Sequence, residues 1–198
     1  YQAMIAQKLT AAGEAAAPYV MSCFTYDPSK VTYVTSDAPN RPQAVAFEQF
    51  VIDFKAFLSR AGDASLYTVG HSYGGWLGMR LTRELAPTTE LAALVTLDPI
   101  SRIQCTPSAM APAVFNDQPA PECTRAPGDF GPQDLALIAQ KAKTWLNIYQ
   151  TDARYLHSAV IQSATNVRQA YPTVGLDAHS KIFTDPAVVA QVLKALGL

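Results

Sequence analysis

No H-E-x-x-H, no CxxC pair and no phosphate loop of the form G-x-x-x-x-G-K occurs in this chain. Those gaps leave a metal or nucleotide mechanism without support, so no metal site and no cofactor are expected. Histidine and cysteine are sparse, with three of each. No apolar run approaches the roughly 20 residues that span a bilayer, and residues 1–10 lack the basic-then-apolar layout of a signal peptide. Charge is balanced, 15 Lys and Arg against 16 Asp and Glu, with no cluster of one sign. Nothing here neutralises a phosphate backbone, which excludes nucleic acid as an expected partner. The chain opens on Tyr1 rather than Met, which reads as removal of something upstream.

What is present is apolar material for a core. With 198 residues, 49% hydrophobic and 16% charged, one globular domain over residues 1–198 is expected. Cys105 and Cys123 flank a polar, Pro-rich stretch, and a crosslink there would contribute about 3 kcal/mol by chain entropy. If they are paired, the protein belongs in a secreted or periplasmic setting; if all three cysteines are thiols, a cytoplasmic one fits.

Periodicity orders the elements. A helix is expected at residues 3–16, a strand at 19–26 and a short extended piece at 31–35. After the punctuation Pro39-Asn40-Arg41-Pro42, apolar residues at Val45, Phe47, Phe50, Val51, Phe54, Phe57 and Leu58 follow a helical period ended by Ala61-Gly62-Asp63. A strand at 65–70, a helix at 74–85 and a buried strand at 91–97 come next. Residues 102–132 dissolve into prolines and read as a loop of functional length. Order returns with a helix at 133–143, a strand at 145–149, an ambiguous segment at 155–171 and a last helix at 186–196. The alternation predicts an α/β fold, a mostly parallel sheet with helices on both faces.

The decisive motif is Gly70-His71-Ser72-Tyr73-Gly74, a G-x-S-x-G where a buried strand meets a helix. A serine hydroxyl is a poor nucleophile until a base removes its proton, and it must stand clear of the sheet to reach a carbonyl. A sharp strand-to-helix turn does this, and it demands very small neighbours, here Gly70, Gly74 and Gly75. A glycine-rich turn without chemistry has the same composition.

Over residues 43–198 the chain resembles the α/β-hydrolase superfamily of lipases, esterases and thioesterases, whose members place nucleophile, acid and histidine in that chain order. The resemblance implies Ser72 as nucleophile. For the acid it offers Asp98, directly after the strand at 91–97 and similar to the position in pancreatic-type lipases, with Asp152 in reserve at the position most other members use. Asp177 stands too close to His179 in sequence. Of His71, His157 and His179, the last precedes the terminal helix and resembles the family's base; His71 reads as a packing residue and His157 as a reserve. The oxyanion hole would take the backbone N–H of Tyr73 and a second donor that the sequence does not assign to a residue, since no His-Gly or Gly-Gly pair precedes Ser65 and N-terminal strands upstream of Tyr1 are expected to be lacking.

These roles imply a serine hydrolase cleaving carboxylic esters through an acyl-enzyme. The segment 102–132, with Met110, Val114, Phe115 and Phe130, reads either as a cap over an apolar acyl pocket or as a surface insertion. Lipid esters are the favoured substrates, with transient contact to a membrane surface, and the oligomeric state is open. A thioesterase or amidase with the same triad, or a silent hydrolase fold acting as a binding module, are the alternatives.

Overall fold

The computed structural model describes residues 21–24, 29–35, 38–61, 65–85 and 87–198. The helix expected at 3–16 and both ends of the strand expected at 19–26 lie outside them. The chain divides into two compact units, one of residues up to Ser65 with Gly197–Leu198, the other Leu66–Leu196.

In the first unit, strands β1 (Met21–Phe24), β2 (Lys30–Thr35) and β3 (Ala38–Ala46) pair antiparallel in that order, and helix α1 (Phe47–Ala61) follows. Period-two alternation buries Val31 and Tyr33, while Phe50, Phe54 and Phe57 form the buried stripe of α1. Tyr33 is seated twice: its ring lies 5.5 Å from that of Phe50, and its hydroxyl donates to Asp53 at 2.7 Å. The Pro-Asn-Arg-Pro run, read from sequence as punctuation, belongs to β3. Its residues fall between the pairs Thr35↔Ala38 and Tyr33↔Gln43, at a register irregularity on an edge strand. A proline there removes no ladder hydrogen bond.

The second unit is built on a parallel sheet of β4 (Leu66–His71), β5 (Leu91–Leu97), β6 (Trp145–Tyr149) and β7 (Thr165–Arg168), in that spatial order. Strand β5 is buried at every position except Ala92, as an interior parallel strand requires. The register pairs His71 with Leu97, Leu97 with Ile148 and Ile148 with Val167, so the carboxyl ends of all four strands finish at one edge. Chemistry in open α/β sheets gathers at that edge. β7 lies within the segment 155–171 that read as ambiguous; its four residues are nowhere fully buried and carry no apolar alternation.

Helix α2 (Tyr73–Glu84) packs on β4 and β5. Helix α3 (Pro107–Asn116) lies inside the segment read from sequence as a loop, and a 3-10 turn at Pro121–Cys123 follows it. The start signal was in the sequence, because Thr106 precedes a proline at the first helical position and its hydroxyl accepts from the Ala109 N–H at 3.1 Å. The prolines at 107 and 112 masked it. Helix α4 (Pro132–Lys141) packs on α2, and its buried Lys141 donates from Nζ to the carbonyls of Arg83 (2.8 Å) and Leu85 at the carboxyl end of α2, where a cation is favoured. Helices α5 (Ala178–Lys181) and α6 (Pro186–Ala195) complete the unit. No described helix is long and apolar enough to cross a membrane.

Cys105 and Cys123 form a disulfide with Cα atoms 4.8 Å apart, resolving the alternative left open by the sequence. Both are fully buried with Ile100, Ala113 and Ala120, a small core beneath α3. With the paired cysteines 18 positions apart in sequence, replacing both by serine is expected to cost about 3 kcal/mol, read as a lower urea midpoint at unchanged slope. An unchanged midpoint would mean that the apolar cluster alone holds the segment.

Candidate active site

Ser72 occupies the single residue between β4 and α2, with φ 56° and ψ −127°. A left-handed φ is costly for a residue with a Cβ and persists only when its surroundings impose it. They do so here through hydrogen bonds. The Ser72 N–H donates to the Leu97 carbonyl at 2.9 Å, and its own carbonyl accepts from Gly75 (3.0 Å), Trp76 (3.2 Å) and Ile100 (3.2 Å). The turn is thus tied to the end of β5 as well as to its own helix.

The three glycines of the motif are not equivalent. A Cβ at position 70 would stand 2.3 Å from the Gly74 carbonyl oxygen, and one at 75 would stand 3.0 Å from both the Gly70 oxygen and Pro99 Cβ. At Gly74 it would meet nothing within 4 Å. Close approach of backbone enforces glycine at 70 and 75; the expected demand at 74 is not met by any steric contact.

Asp98 leaves β5 with φ 45° and is fully buried. Its carboxylate takes four donors. Oδ1 accepts from the Ser158 N–H at 2.7 Å and the Gln150 N–H at 3.4 Å; Oδ2 accepts from Gln150 Nε2 at 2.6 Å and from His179 Nδ1 at 2.7 Å. His179, on α5, is 7% exposed. Because a carboxylate can only accept, Nδ1 carries a proton, and the tautomer of the neutral ring is the one that leaves the lone pair on Nε2.

The other titratable candidates are engaged elsewhere. Asp152 accepts from the Tyr171 N–H at 2.5 Å and pairs with Arg168 at 3.6 Å. His157 hydrogen-bonds the Ser158 carbonyl through Nδ1, and its N–H donates to the Cys123 carbonyl at 3.0 Å. The Asp177 N–H donates to Val174 in the turn before α5. Among the described residues, no three His, Cys, Asp or Glu side chains are grouped so as to hold a metal.

His71 packs, as expected of it, but it does more. Its Nε2 donates to the His179 carbonyl at 2.8 Å, and its ring lies 4.6 Å from that of His179 and 5.3 Å from that of Phe183. Ser72 follows His71 at the end of β4, level with Asp98, which follows Leu97 at the end of β5 and bonds the His179 ring. No hydrogen bond joins the Ser72 hydroxyl to that ring among the described residues; such contacts commonly tighten only when substrate binds. Burial, reinforced by the nearby His179, lowers the His71 pKa to about 4, against smaller opposing effects of the His179 carbonyl and Asp98.

That depression makes stability pH-dependent. Between the ordinary value of 6.5 and about 4, the unfolded chain binds a proton at this ring that the folded chain does not. The stability is full above pH 6.5 and is lost as pH falls through that window. Thermal melts across the window should show a falling midpoint, flattened in His71→Gln, which keeps a donor but does not titrate. Equal slopes for the two proteins would reject this origin.

Tyr73 begins α2, so its N–H has no acceptor within the helix. Its hydroxyl donates to the Cys105 carbonyl at 3.1 Å, and the Arg102 guanidinium lies 5.0 Å from its ring. Burial raises the phenol's pKa, with Arg102 opposing. Sequence reasoning missed two residues that touch Asp98, Gln150 and Ser158. Gln150 carried a usable signal, a polar residue immediately after the apolar strand β6; Ser158 supplies a backbone group and carried none.

No curated protein and no solved structure matches this chain. One family model does, described as the alpha/beta hydrolase family, over residues 6–195. That match begins well before the region where the motif resemblance starts, and it covers both units. A parallel sheet with an elbow serine at its carboxyl edge and a family model spanning nearly the whole length agree: the chain belongs to the alpha/beta hydrolase family.

Proposed function

We propose that this protein is a serine hydrolase that cleaves carboxylic esters, with Ser72 as nucleophile, His179 as general base and Asp98 as the acid that orients it. The observation that carries the reading is the 2.7 Å bond from His179 Nδ1 to Asp98 Oδ2, at the same sheet edge as a serine held at a left-handed elbow. His179 Nε2 takes the Ser72 proton as the hydroxyl oxygen adds to the ester carbonyl. The tetrahedral intermediate collapses, the imidazolium returns its proton to the departing alkoxide, and an acyl-serine remains. Water, deprotonated by the same ring, releases the acid. The Tyr73 N–H is the oxyanion donor in this scheme.

An apolar acyl group, with lipid esters as the favoured subset, is supported by α3, on which Phe115 is 80% and Val114 54% exposed. Those side chains would also give brief contact with an ester-bearing interface. The Cys105–Cys123 disulfide supports an oxidising compartment.

A fluorophosphonate probe tests the reading. The parent is expected to label and Ser72→Ala, folded, is not; a parent that stays unlabelled while properly folded would leave a silent fold used for binding. Nitrophenyl esters of rising acyl length should then show kcat/KM climbing with length, and a flat series would remove the apolar pocket. Faster turnover of a matched thioester or amide would move the substrate class.

A further inference from the structure

Gln150 follows β6 at the sheet's carboxyl edge, where it meets the Asp98 carboxylate. It is fully buried at the end of β6, and all four of its side-chain hydrogen-bonding positions are used. Oε1 accepts from the N–H groups of Asp152 and Ala153, both at 2.8 Å. Nε2 donates one hydrogen to Asp98 Oδ2 at 2.6 Å and the other to the Leu156 carbonyl at 3.1 Å. A flipped amide would set its NH2 against two N–H donors and its oxygen against a carboxylate and a carbonyl, so only one orientation is tolerated.

We propose that Gln150 is the positioning residue of the candidate acid, its amide fixing the rotation of the Asp98 carboxylate against the His179 ring. This rests on the serine-hydrolase reading for its link to catalysis. The Nε2 bond falls on Oδ2, the oxygen that also accepts from His179 Nδ1, while the Gln150 N–H and the Ser158 N–H hold Oδ1. With both oxygens pinned from the 150–158 segment, the carboxylate cannot turn away from the imidazole. An amide is suited to the place because it donates without adding charge. A second carboxylate 2.6 Å from Oδ2 would repel it.

Two near-isosteric variants test this. Gln150→Met removes every side-chain bond and should lower kcat about 10-fold or more with KM unchanged, the signature of an interaction that acts on the reacting groups. Gln150→Glu keeps an acceptor toward Asp152 and Ala153 but sets a second negative charge beside Asp98. The titratable groups near that point are Asp98, His179 and His71; the Asp152 carboxylate is turned to Arg168. The added charge favours imidazolium, so the acidic limb of kcat/KM should move up by about one pH unit or more. NMR titration of the His179 ring in the same variants reads that shift without any substrate.

An upward shift by NMR in a protein that neither labels nor turns over esters would keep Gln150 as the positioner of Asp98 and sink the hydrolase reading. Parent values of kcat in Gln150→Met, or an unmoved limb and unmoved ring titration in folded Gln150→Glu, would overturn the proposal. A Gln150→Met that does not fold leaves the decision to Gln150→Glu.

Discussion

Asp98→Asn is expected to lower kcat by about 10⁴-fold while substrate binding holds. Every atom around the carboxylate is a donor: Ser158 N–H, Gln150 N–H, Gln150 Nε2 and His179 Nδ1. An asparagine must turn its NH2 toward one pair of them. Facing His179 it forces the ring proton to Nε2, so the lone pair points at the amide and the base is lost; facing Ser158 it leaves two buried N–H groups opposed. Some stability is lost in either case, so circular dichroism and a melt must show a folded variant before kinetics are compared. Asp152→Asn is the control. It keeps an oxygen for the Tyr171 N–H and loses only a partly exposed ion pair with Arg168, worth at most about 1 kcal/mol. Its kcat should match the parent, and the reverse ranking of the two variants would transfer the acid's role to Asp152.

Gly70→Ala is expected to remove on the order of 3 kcal/mol or more, enough to lose the folded protein at ordinary temperatures. The new methyl would sit 2.3 Å from the Gly74 oxygen, 2.5 Å from its carbonyl carbon and 2.6 Å from the Gly75 nitrogen. All three are backbone atoms of the turn that holds Ser72, so none can step aside without opening the elbow. Gly74→Ala faces open space and replaces a helical glycine by the best helix former, so its stability should equal or exceed the parent's by up to about 1 kcal/mol. Yield, melting temperature and urea midpoint measure the contrast. If both variants fold equally well, the strand and helix are not as close as the structure has them.

The order of strands and helices from residue 65 onward was legible because each core strand there is short, apolar and bounded by turn residues. The strand Trp145–Tyr149 and the strand Leu91–Leu97 stand where their patterns put them. The helix Pro107–Asn116 was not legible: proline density outweighed a good cap, and a proline at the first helical position is a start rather than a break. The strand Thr165–Arg168 escaped because its pairing to β6 rests on backbone, with no side-chain rhythm to announce it. Ser72, Asp98 and His179 were chosen from sequence as types in a chain order. Both Asp98 and Asp152 follow a strand at the same edge, and that Asp98 is the one bonded to His179 is a contact that chain order does not report. The partners of Asp98 are backbone N–H groups and one amide, which side-chain patterns do not report.

The Cys105–Cys123 bond reaches further than the small core it closes. On one side the Cys105 carbonyl receives the Tyr73 hydroxyl, next to the elbow serine; on the other the Cys123 carbonyl receives the His157 N–H, one residue before the N–H that holds Asp98. A single covalent staple therefore grips the shoulders of both the hydroxyl and the carboxylate. In a chain with both thiols reduced, the small apolar cluster around Ile100, Ala113 and Ala120 is what remains to hold those two shoulders together.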